Sequence, residues 1–213
     1  MAPDWIHAAR RQWIWFFLLV VGIGLSTGAV WLVFSREIEQ PLSPHQKQSP
    51  DELDVAYVST PQPVVEKMLQ MAKVTKDDVV YDLGCGDGRI VVTAAKVYGC
   101  RAVGVDLDPE RVKESKENAE KNHVEKLVVI ERKDIFKVDL SEATVVALYT
   151  LPEVNVQLIP QFQQLKPGSR IVSHDFGIKG MKPRETFTMR VQNSIGLYTP
   201  HKIYLWVTPL EKE

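Results

Sequence analysis

The sequence predicts an α/β protein: a doubly wound seven-stranded sheet with an antiparallel terminal hairpin, preceded by one N-terminal transmembrane helix. Three observations predict this fold. Short β-branched runs alternate with amphipathic stretches between residues 61 and 176, as in a parallel sheet covered by helices on both faces. Two further apolar runs near the end have no room for a helix between them, so we expect them to pair as a hairpin. A long apolar run lies near the start.

This apolar run, residues 13–34, contains no charged side chain. A helix of this length extends roughly 33 Å, which is enough to span a bilayer core. Trp13, Trp15 and Trp31 lie near its ends, where aromatic rings favour the headgroup layer. An uncleaved anchor is therefore the leading interpretation. A cleaved signal peptide and a twin-arginine signal at Arg10 and Arg11 are the alternatives.

The anchor divides the chain into three parts. We assign residues 1–35 to the membrane anchor, residues 36–53 to a polar tether and residues 54–213 to the globular domain. The tether contains Pro41, Pro44 and Pro50 among polar residues, which is typical of a semi-extended linker.

The elements of the globular domain follow from local signals. Thr60 can cap a first helix that has Pro61 at its first position. In the same way, Asp108 is predicted to cap the helix that begins at Pro109. The predicted helices cover residues 61–73, 88–98, 109–122 and 153–165. The predicted strands cover residues 79–83, 101–108, 126–134, 143–150 and 169–176, followed by hairpin strands at 186–195 and 202–209.

Composition limits the possible partners. The 213 residues carry a formal net charge of -1, so there is no basic field that would favour nucleic acid as a main partner. Cys85 and Cys100 are the two cysteines, and they have neither the spacing of a zinc site nor the density of a disulfide scaffold. We therefore expect a reducing compartment and no metal, with His7, His45, His123 and His201 lacking metal-ligand spacing.

A glycine-rich loop marks the predicted ligand site. In the sequence DLGCGDGR, Gly84, Gly86 and Gly88 follow the first strand and precede a helix. Such a loop lets a ligand approach the bare backbone N–H groups at a helix start. The spacing differs from the dinucleotide fingerprint, in which the third glycine comes three positions after the second. We expect Asp87 and Arg89 to brace the helix start rather than to contact ligand.

Three carboxylates at the ends of successive strands indicate which ligand binds. Asp82 precedes the loop and would attract an ammonium group but repel a pyrophosphate. Asp106 ends the second strand, where a carboxylate can accept both hydroxyls of a ribose. Asp134 ends the third strand, where it could accept from an adenine amino group. An adenosine with a cationic amino-acid tail is S-adenosylmethionine, which we predict as the cofactor.

The motifs DLGCGDGR, GVDLDPERV and KDIF resemble those of class I, Rossmann-like, seven-strand S-adenosylmethionine-dependent methyltransferases. The segments DVAYVSTP, LYTLPEVN and PGSRIVSHDF further resemble the small membrane-anchored lysine methyltransferases that act on the ATP synthase c subunit and the adenine nucleotide translocase. This resemblance implies that Tyr57 and Thr60 line the cofactor mouth. Ala56 and Ser59 depart from the prolines common in that family. Leu107 and Ile135, which follow the second and third acids, complete the predicted cofactor-binding set.

The resemblance also implies a methyl acceptor, most simply a protein lysine. Tyr149 and Asp175, at the ends of the fourth and fifth strands, are the candidates for orienting it. A hydrogen-bonded structural pair of His174 and Asp175 is an equal alternative to a catalytic pair. The helix PERVKESKENAEKNH is interpreted as a solvated face, and Cys85 as a small packed residue.

The anchor and the cofactor together predict where the enzyme works. The tether would hold the domain near the bilayer, so the expected partner is a membrane protein. A lipid or quinone acceptor, and a non-catalytic protein that only binds S-adenosylmethionine, are the alternatives. The charges that flank the span nearly balance. Because the cofactor is made inside cells, we predict a single-pass protein with its domain on the cytoplasmic side.

Overall fold

The computed structural model describes residues 58–193 and 196–213. The predicted anchor and tether, and Tyr57 at the predicted cofactor mouth, lie outside these residues. No helix in this described part is both long enough and apolar enough to cross a membrane.

The described elements alternate as the sequence predicts. The helices are α1 (Gln62–Met71), α2 (Arg89–Tyr98), α3 (Pro109–Lys121), α4 (Pro152–Gln157) and α5 (Ile159–Phe162), and a 3-10 helix covers Ile135–Lys137. The strands are β1 (Val79–Leu83), β2 (Arg101–Asp106), β3 (Val128–Arg132), β4 (Val145–Leu148), β5 (Arg170–His174), β6 (Glu185–Gln192) and β7 (Tyr198–Val207).

The seven strands form one mixed sheet in the order β3-β2-β1-β4-β5-β7-β6. Strands β1 to β5 are parallel, whereas β7 is antiparallel to both β5 and β6. The predicted doubly wound sheet with its terminal hairpin is therefore confirmed. The strand order reverses between β1 and β4, and in open α/β sheets ligands bind beyond the carboxyl ends of the strands at such a point.

The hydrophobic core lies on both faces of the sheet. Val145 and Ala147 of β4 belong to one buried cluster, together with side chains of α1, α2 and α3. Val146 and Leu148 belong to the other, which contains Phe162 and Trp206. The alternation follows the two-residue period of a strand, and all four side chains of β4 are inaccessible to solvent.

Two helix predictions need correction. Helix α1 begins at Gln62 rather than Pro61 and ends at Met71, and the Thr60 side chain does not cap it. The predicted helix 153–165 is two short helices separated at Leu158. Pro160 explains this break, because proline has no N–H and its ring clashes with the carbonyl four residues earlier.

Strand boundaries also differ from the predictions. The second to fifth strands are shorter than predicted. Their last two predicted residues lie in the loops at the carboxyl edge, and the third to fifth strands also begin one or two residues later than predicted. Strand β7 begins at Tyr198, within the segment predicted to be a turn. Backbone pairing from Gln192 to Tyr198 extends the hairpin over this segment, so the local turn signals at Pro200 did not decide the boundary.

Candidate active site

The glycine loop turns directly over the neighbouring strand. The backbone N–H groups of Gly84 and Cys85 both donate to the carbonyl of Val105 in β2, at 2.8 and 2.9 Å. Gly84, Gly86 and Gly88 all have positive φ, at 84°, 54° and 75°. Residues with a Cβ rarely adopt this conformation. The loop therefore needs its glycines, and it leads directly into the N-terminus of α2.

Helix α3 holds the other side of this loop, which the sequence interpretation missed. Ser115 donates its hydroxyl to the carbonyl of Gly86 at 2.6 Å, and Asn118 donates its amide to the carbonyl of Asp87 at 2.9 Å. The solvated-face interpretation of this helix is thus wrong for one side. Val112, Ser115 and Ala119 are buried on it, and their helical spacing in an otherwise charged segment was the available signal.

Two buried carboxyl groups lie at opposite ends of β1, and they differ in their hydrogen-bond partners and in the direction of their pKa shifts. Asp78, at the amino end, accepts from Arg170 at 2.7 Å and from the Thr144 hydroxyl at 2.6 Å. Burial alone raises the pKa of Asp78, but hydrogen bonds from Thr144, Arg170 and Thr75 lower it below the ordinary value. This carboxylate is neutralised by the protein itself, as a structural ion pair requires.

Asp82, at the carboxyl end of β1, has no hydrogen-bond donor or cation among the described residues to offset its burial. Only 2% of the residue is exposed, and none of the described residues donates a hydrogen bond or supplies a cation to its carboxyl group. Burial, followed by the charges of Asp106 and Asp87, raises the pKa of Asp82 to about 8. A buried acid without a partner, next to a glycine loop, is suited to binding a cationic ligand group.

Asp106 lies at the carboxyl end of β2 and also braces the loop. Its Oδ2 accepts from the Gly86 backbone N–H at 2.9 Å, and its Oδ1 accepts from that of Asp108 at 3.0 Å. Each carboxylate oxygen can accept more than one hydrogen bond, so both retain capacity for the hydroxyls of a ribose. Asp108 caps α3 by accepting from the Glu110 backbone N–H, as predicted.

The third acid lies just beyond the sheet. Asp134 comes two residues after β3 and caps the 3-10 helix, with its Oδ1 accepting from the Phe136 backbone N–H at 3.0 Å. Its Oδ2 lies 3.3 Å from the exposed Lys137 ammonium group. Ile135 packs against the core, whereas Leu107 is 64% exposed. All of these residues lie along the same carboxyl edge of the sheet.

Thr60 connects the segment before α1 to this edge. Its carbonyl accepts from Arg89 at 2.8 Å, and its hydroxyl lies 3.1 Å from Nδ1 of His174. The Asp87 carboxylate accepts from the backbone N–H and the side chain of Arg89, so the predicted bracing of the helix start is confirmed. Thr60 precedes Pro61, which occupies the N-cap position of α1, and its hydroxyl faces His174 instead.

An aromatic group lies beyond β4 and β5. The Tyr149 ring centroid is 4.0 Å from that of His174 and 6.0 Å from that of Phe176. Burial, followed by the charge of Asp175, raises the pKa of Tyr149, so its phenol is protonated at neutral pH. Burial also lowers the pKa of His174 to about 4, despite the opposing effect of Asp175. This region therefore offers aromatic faces and neutral polar groups.

Asp175 has an unusual position at the end of β5. Its φ is 56°, rare for a residue with a side chain. Its Oδ1 accepts from the Lys202 backbone N–H at 2.7 Å, and its Oδ2 faces His174 at 3.2 Å and His201 at 3.5 Å. Asp175 thus belongs to a cluster with two histidines. His201, 27 residues after His174 in the sequence, reaches this cluster through the pairing of β7 with β5.

Asn155 is a further residue that the sequence interpretation did not identify. It is fully buried, accepts from the Thr150 hydroxyl at 2.6 Å, and donates to the carbonyls of Phe176 and Gly177 at 3.3 and 3.2 Å. It therefore ties the loop after β4 to the loop after β5, which keeps Tyr149 and Phe176 together. The sequence carries no local signal for this role, because the partners of Asn155 follow a different strand.

Cys85 is packed rather than reactive, as predicted. It is 5% exposed, its sulfur lies 3.6 Å from the Ser115 hydroxyl, and burial, followed by the charge of Asp82, raises the pKa of its thiol. A thiol that is hard to ionise is a poor nucleophile.

Comparison with known proteins identifies relatives of this arrangement. The model of the ANTKMT methyltransferase domain matches residues 82–185. The protein-lysine N-methyltransferase of Saccharolobus islandicus is 48% identical over 155 residues, which cover 72% of this chain and 93% of the relative. The adenine nucleotide translocase lysine N-methyltransferase of Mus musculus is 31% identical over 163 residues, which cover 76% of this chain and 68% of that protein.

A solved structure supports the same relationship. An RNA methyltransferase from Salinibacter ruber, in complex with S-adenosyl-L-homocysteine, is 45% identical and superposes with a TM-score of 0.65. The match covers 73% of this chain and 97% of that structure.

Proposed function

The chain belongs to the methyltransferase family defined by the ANTKMT domain, and on this premise we propose that it methylates a lysine amine of a membrane protein. The observation that carries the proposal is Asp82, a buried carboxyl group beside the glycine loop to which none of the described residues donates a hydrogen bond. The relative from Saccharolobus islandicus, named a protein-lysine N-methyltransferase, supplies the acceptor class.

S-adenosylmethionine is the methyl donor, and the three acids fit its polar groups. Asp82 would pair with the ammonium group of the amino-acid tail. Asp106, already held by the Gly86 N–H, would accept the ribose hydroxyls. Asp134 would accept from the adenine amino group, with Leu107 and Ile135 against the adenosine. Thr60 would contribute to the mouth of this site, next to Tyr57.

The chemistry requires positioning more than activation. In the proposed step the lysine nitrogen attacks the methyl carbon, the carbon–sulfur bond breaks, and the sulfur leaves with the bonding electrons. The amine must be neutral to attack, although its ordinary pKa is about 10.4. Removal from water lowers the pKa of a lysine, and correct alignment can contribute on the order of 7 to 11 kcal/mol in the best cases.

The aromatic group supplies a suitable place for this amine. Tyr149 follows β4 directly, beside the glycine loop, where Thr150 lies 3.6 Å from the position of a Cβ on Gly84. In our proposal the Tyr149 hydroxyl orients the amine and the aromatic faces exclude water. Asp175 acts through the histidines and Tyr149, since both of its oxygens are already engaged.

A second candidate acceptor is RNA, which the name of the Salinibacter ruber structure suggests. The formal net charge of -1 argues against it, since nucleic-acid binding depends on neutralising phosphates with basic side chains. Lipid or quinone methylation remains a third candidate.

The membrane part of the proposal is based on residues 13–34. A single span and a tether of about twenty residues, at most about 3.3 Å each, would confine the site to within a few tens of Å of the bilayer. Such confinement raises the effective concentration of a membrane-bound acceptor. We propose a cytoplasmic domain, because the cofactor is made inside cells.

Mass spectrometry of cells carrying the full-length protein, a variant lacking residues 1–35, or no protein tests the proposal. We expect at least one lysine of a membrane protein to be methylated only with the full-length protein. Loss of activity through misfolding is controlled by measuring S-adenosylhomocysteine binding of the shortened variant, which should be unchanged. Nucleoside and lipid analysis of the same cells would reveal an RNA or lipid product, and either product without a methylated lysine would refute the proposed acceptor.

A further inference from the structure

Three potential metal ligands converge beside the proposed acceptor site. His174 ends β5, Asp175 follows it, and His201 lies on the paired strand β7. Nε2 of His174 lies 2.9 Å from Nδ1 of His201 and 3.2 Å from Oδ2 of Asp175, and the latter two atoms are 3.5 Å apart. The three atoms therefore form a compact triangle.

The separations of the three ligand atoms, 2.9, 3.2 and 3.5 Å, are close to those between the ligands of a tetrahedral metal ion, and the longest is equal to them. Zinc binds histidine nitrogen and carboxylate oxygen at about 2.0 to 2.2 Å, so tetrahedral ligand atoms lie roughly 3.3 to 3.5 Å apart. The two shorter edges, the 2.9 Å hydrogen bond between the imidazoles and the 3.2 Å edge to Asp175, both involve Nε2 of His174, so a small shift of the His174 ring would lengthen both. Two imidazoles and one carboxylate are also a common ligand set for divalent first-row metals.

Each of the three side chains is held from behind by a partner outside the triangle. The Thr60 hydroxyl lies 3.1 Å from Nδ1 of His174, and the Thr199 hydroxyl lies 3.1 Å from Nε2 of His201. The Lys202 backbone N–H donates to Oδ1 of Asp175 at 2.7 Å. Metal-binding histidines and carboxylates typically have such outer partners, which fix the tautomer and the direction of the lone pair.

The backbone at Asp175 is also strained in a way that serves the cluster. Its φ of 56° lies in the left-handed region, which costs free energy and persists where the surroundings enforce it. This conformation lets adjacent residues of one strand end, His174 and Asp175, present their side chains to the same point.

We infer that His174, Asp175 and His201 bind one divalent first-row metal ion of the zinc class, with a coordination position left for water or a substrate oxygen. His174 is fully buried, whereas the side chains of His201 and Asp175 are 14% and 27% exposed, so the cluster is accessible from solvent. The ion would lie next to Tyr149, whose ring contacts that of His174. This inference does not depend on the identity of the methyl acceptor.

Metal titration of the full-length protein, purified without a polyhistidine tag, tests the inference. We expect one equivalent of Zn²⁺ to compete with a chromophoric chelator, and Co²⁺ to give the intense visible absorption of a tetrahedral site. His201→Gln and Asp175→Asn should lose more than the 10- to 100-fold in affinity that removal of an outer partner costs. Asparagine tolerates positive φ, so the second variant keeps the backbone conformation.

The matched control is His123→Asn. His123 is a histidine that, like Asp175, has a positive φ, at 58°. It is exposed and lies far from the cluster in the sequence. Its replacement should leave Zn²⁺ affinity unchanged. S-adenosylhomocysteine binding and circular dichroism establish that each variant is folded. Absence of metal binding by the wild-type protein, or equal affinity in the wild-type, His201→Gln and Asp175→Asn proteins, would overturn the inference.

Discussion

Asp106 and Asp82 lie at the ends of adjacent parallel strands, and the charge of Asp106 adds to burial in raising the pKa of Asp82 to about 8. At neutral pH the free protein therefore holds a proton on Asp82. An ammonium group placed against this carboxyl would favour the ionised form and expel that proton.

The first prediction is that binding of S-adenosylmethionine releases a proton below pH 8. Calorimetry at pH 7, in buffers with different ionisation enthalpies, should show the release of up to one proton for each cofactor bound. Affinity should rise between pH 6 and pH 7.5, as less work is needed to ionise Asp82. Asp77→Asn, an exposed carboxyl replacement, should behave as the wild type. An observed enthalpy that is independent of the buffer would contradict the pairing with Asp82.

The second prediction concerns stability without cofactor. A carboxyl group whose pKa is raised by folding favours the native state below its unfolded pKa of about 3.8, and this contribution is lost as the pH rises towards 8. Asp82→Asn cannot ionise, so it should be more stable than the wild type at pH 8.5, by on the order of a few kcal/mol. Urea unfolding at pH 5 and pH 8.5 tests this, and the difference between the two proteins should be smaller at pH 5.

The third prediction separates the ligand-binding and bracing roles of Asp106. Loss of a charge-assisted hydrogen bond costs about 1.5 to 3 kcal/mol, so Asp106→Ala should weaken cofactor binding by roughly 10- to 150-fold. Asp106→Asn retains one carbonyl acceptor for the Gly86 or Asp108 N–H and should lose less. Equal affinity of the alanine variant and the wild type, measured by calorimetry, would show that Asp106 does not contact the cofactor.

The fourth prediction tests the contact between the glycine loop and α3. A Cβ on Gly88 would lie 2.9 Å from the Cβ and 3.1 Å from the Cα of Ser115, so Gly88→Ala must displace helix or loop. Gly168 has a similar positive φ of 86° but nothing within 4 Å of its Cβ position. Gly168→Ala therefore controls for backbone strain, which is about 1 to 2 kcal/mol.

The difference in stability between these two alanine variants measures the effect of the steric contact with Ser115. Gly88→Ala should be less stable than Gly168→Ala by about 1 to 3 kcal/mol and should also lose cofactor affinity, whereas Gly168→Ala should keep it. Thermal unfolding and calorimetry measure both effects. Similar losses in the two variants would mean that the Ser115 contact is unimportant.

Local signals explain which features could be predicted from the sequence. The positions of Asp82 and Asp106 near the carboxyl ends of β1 and β2 follow from β-branched runs that lead into an acid, because each pattern is contained in a few neighbouring residues. The hairpin could be predicted in the same way, since the interval between its strands is too short for a crossover helix. Its exact start could not, because pairing across the hairpin overrode the turn residues before His201.

Contacts between distant segments account for what the sequence interpretation missed. Ser115 supports a loop carbonyl 29 residues earlier, and His201 reaches His174 only because β7 reverses direction beside β5. Neither relationship has a short-range pattern. Asn155 was similarly hidden, since its partners at Phe176 and Gly177 follow a different strand.

The last prediction concerns Tyr149, the residue that we place beside the transferred methyl group. If its hydroxyl orients the lysine amine, Tyr149→Phe should lower kcat while leaving cofactor affinity nearly unchanged. Phenylalanine keeps the ring that contacts His174 and Phe176, so the packing is preserved and only the hydroxyl is lost. Tyr149→Ala should lower kcat further and also destabilise the domain.

Loss of one positioning hydrogen bond, about 1 to 3 kcal/mol, corresponds to roughly 5- to 150-fold in kcat. Single-turnover methylation of the acceptor identified by mass spectrometry measures this effect. Only an interaction made in the transition state lowers kcat without weakening binding. Wild-type kcat in Tyr149→Phe would therefore show that Tyr149 contributes through its ring and that its hydroxyl does not orient the amine.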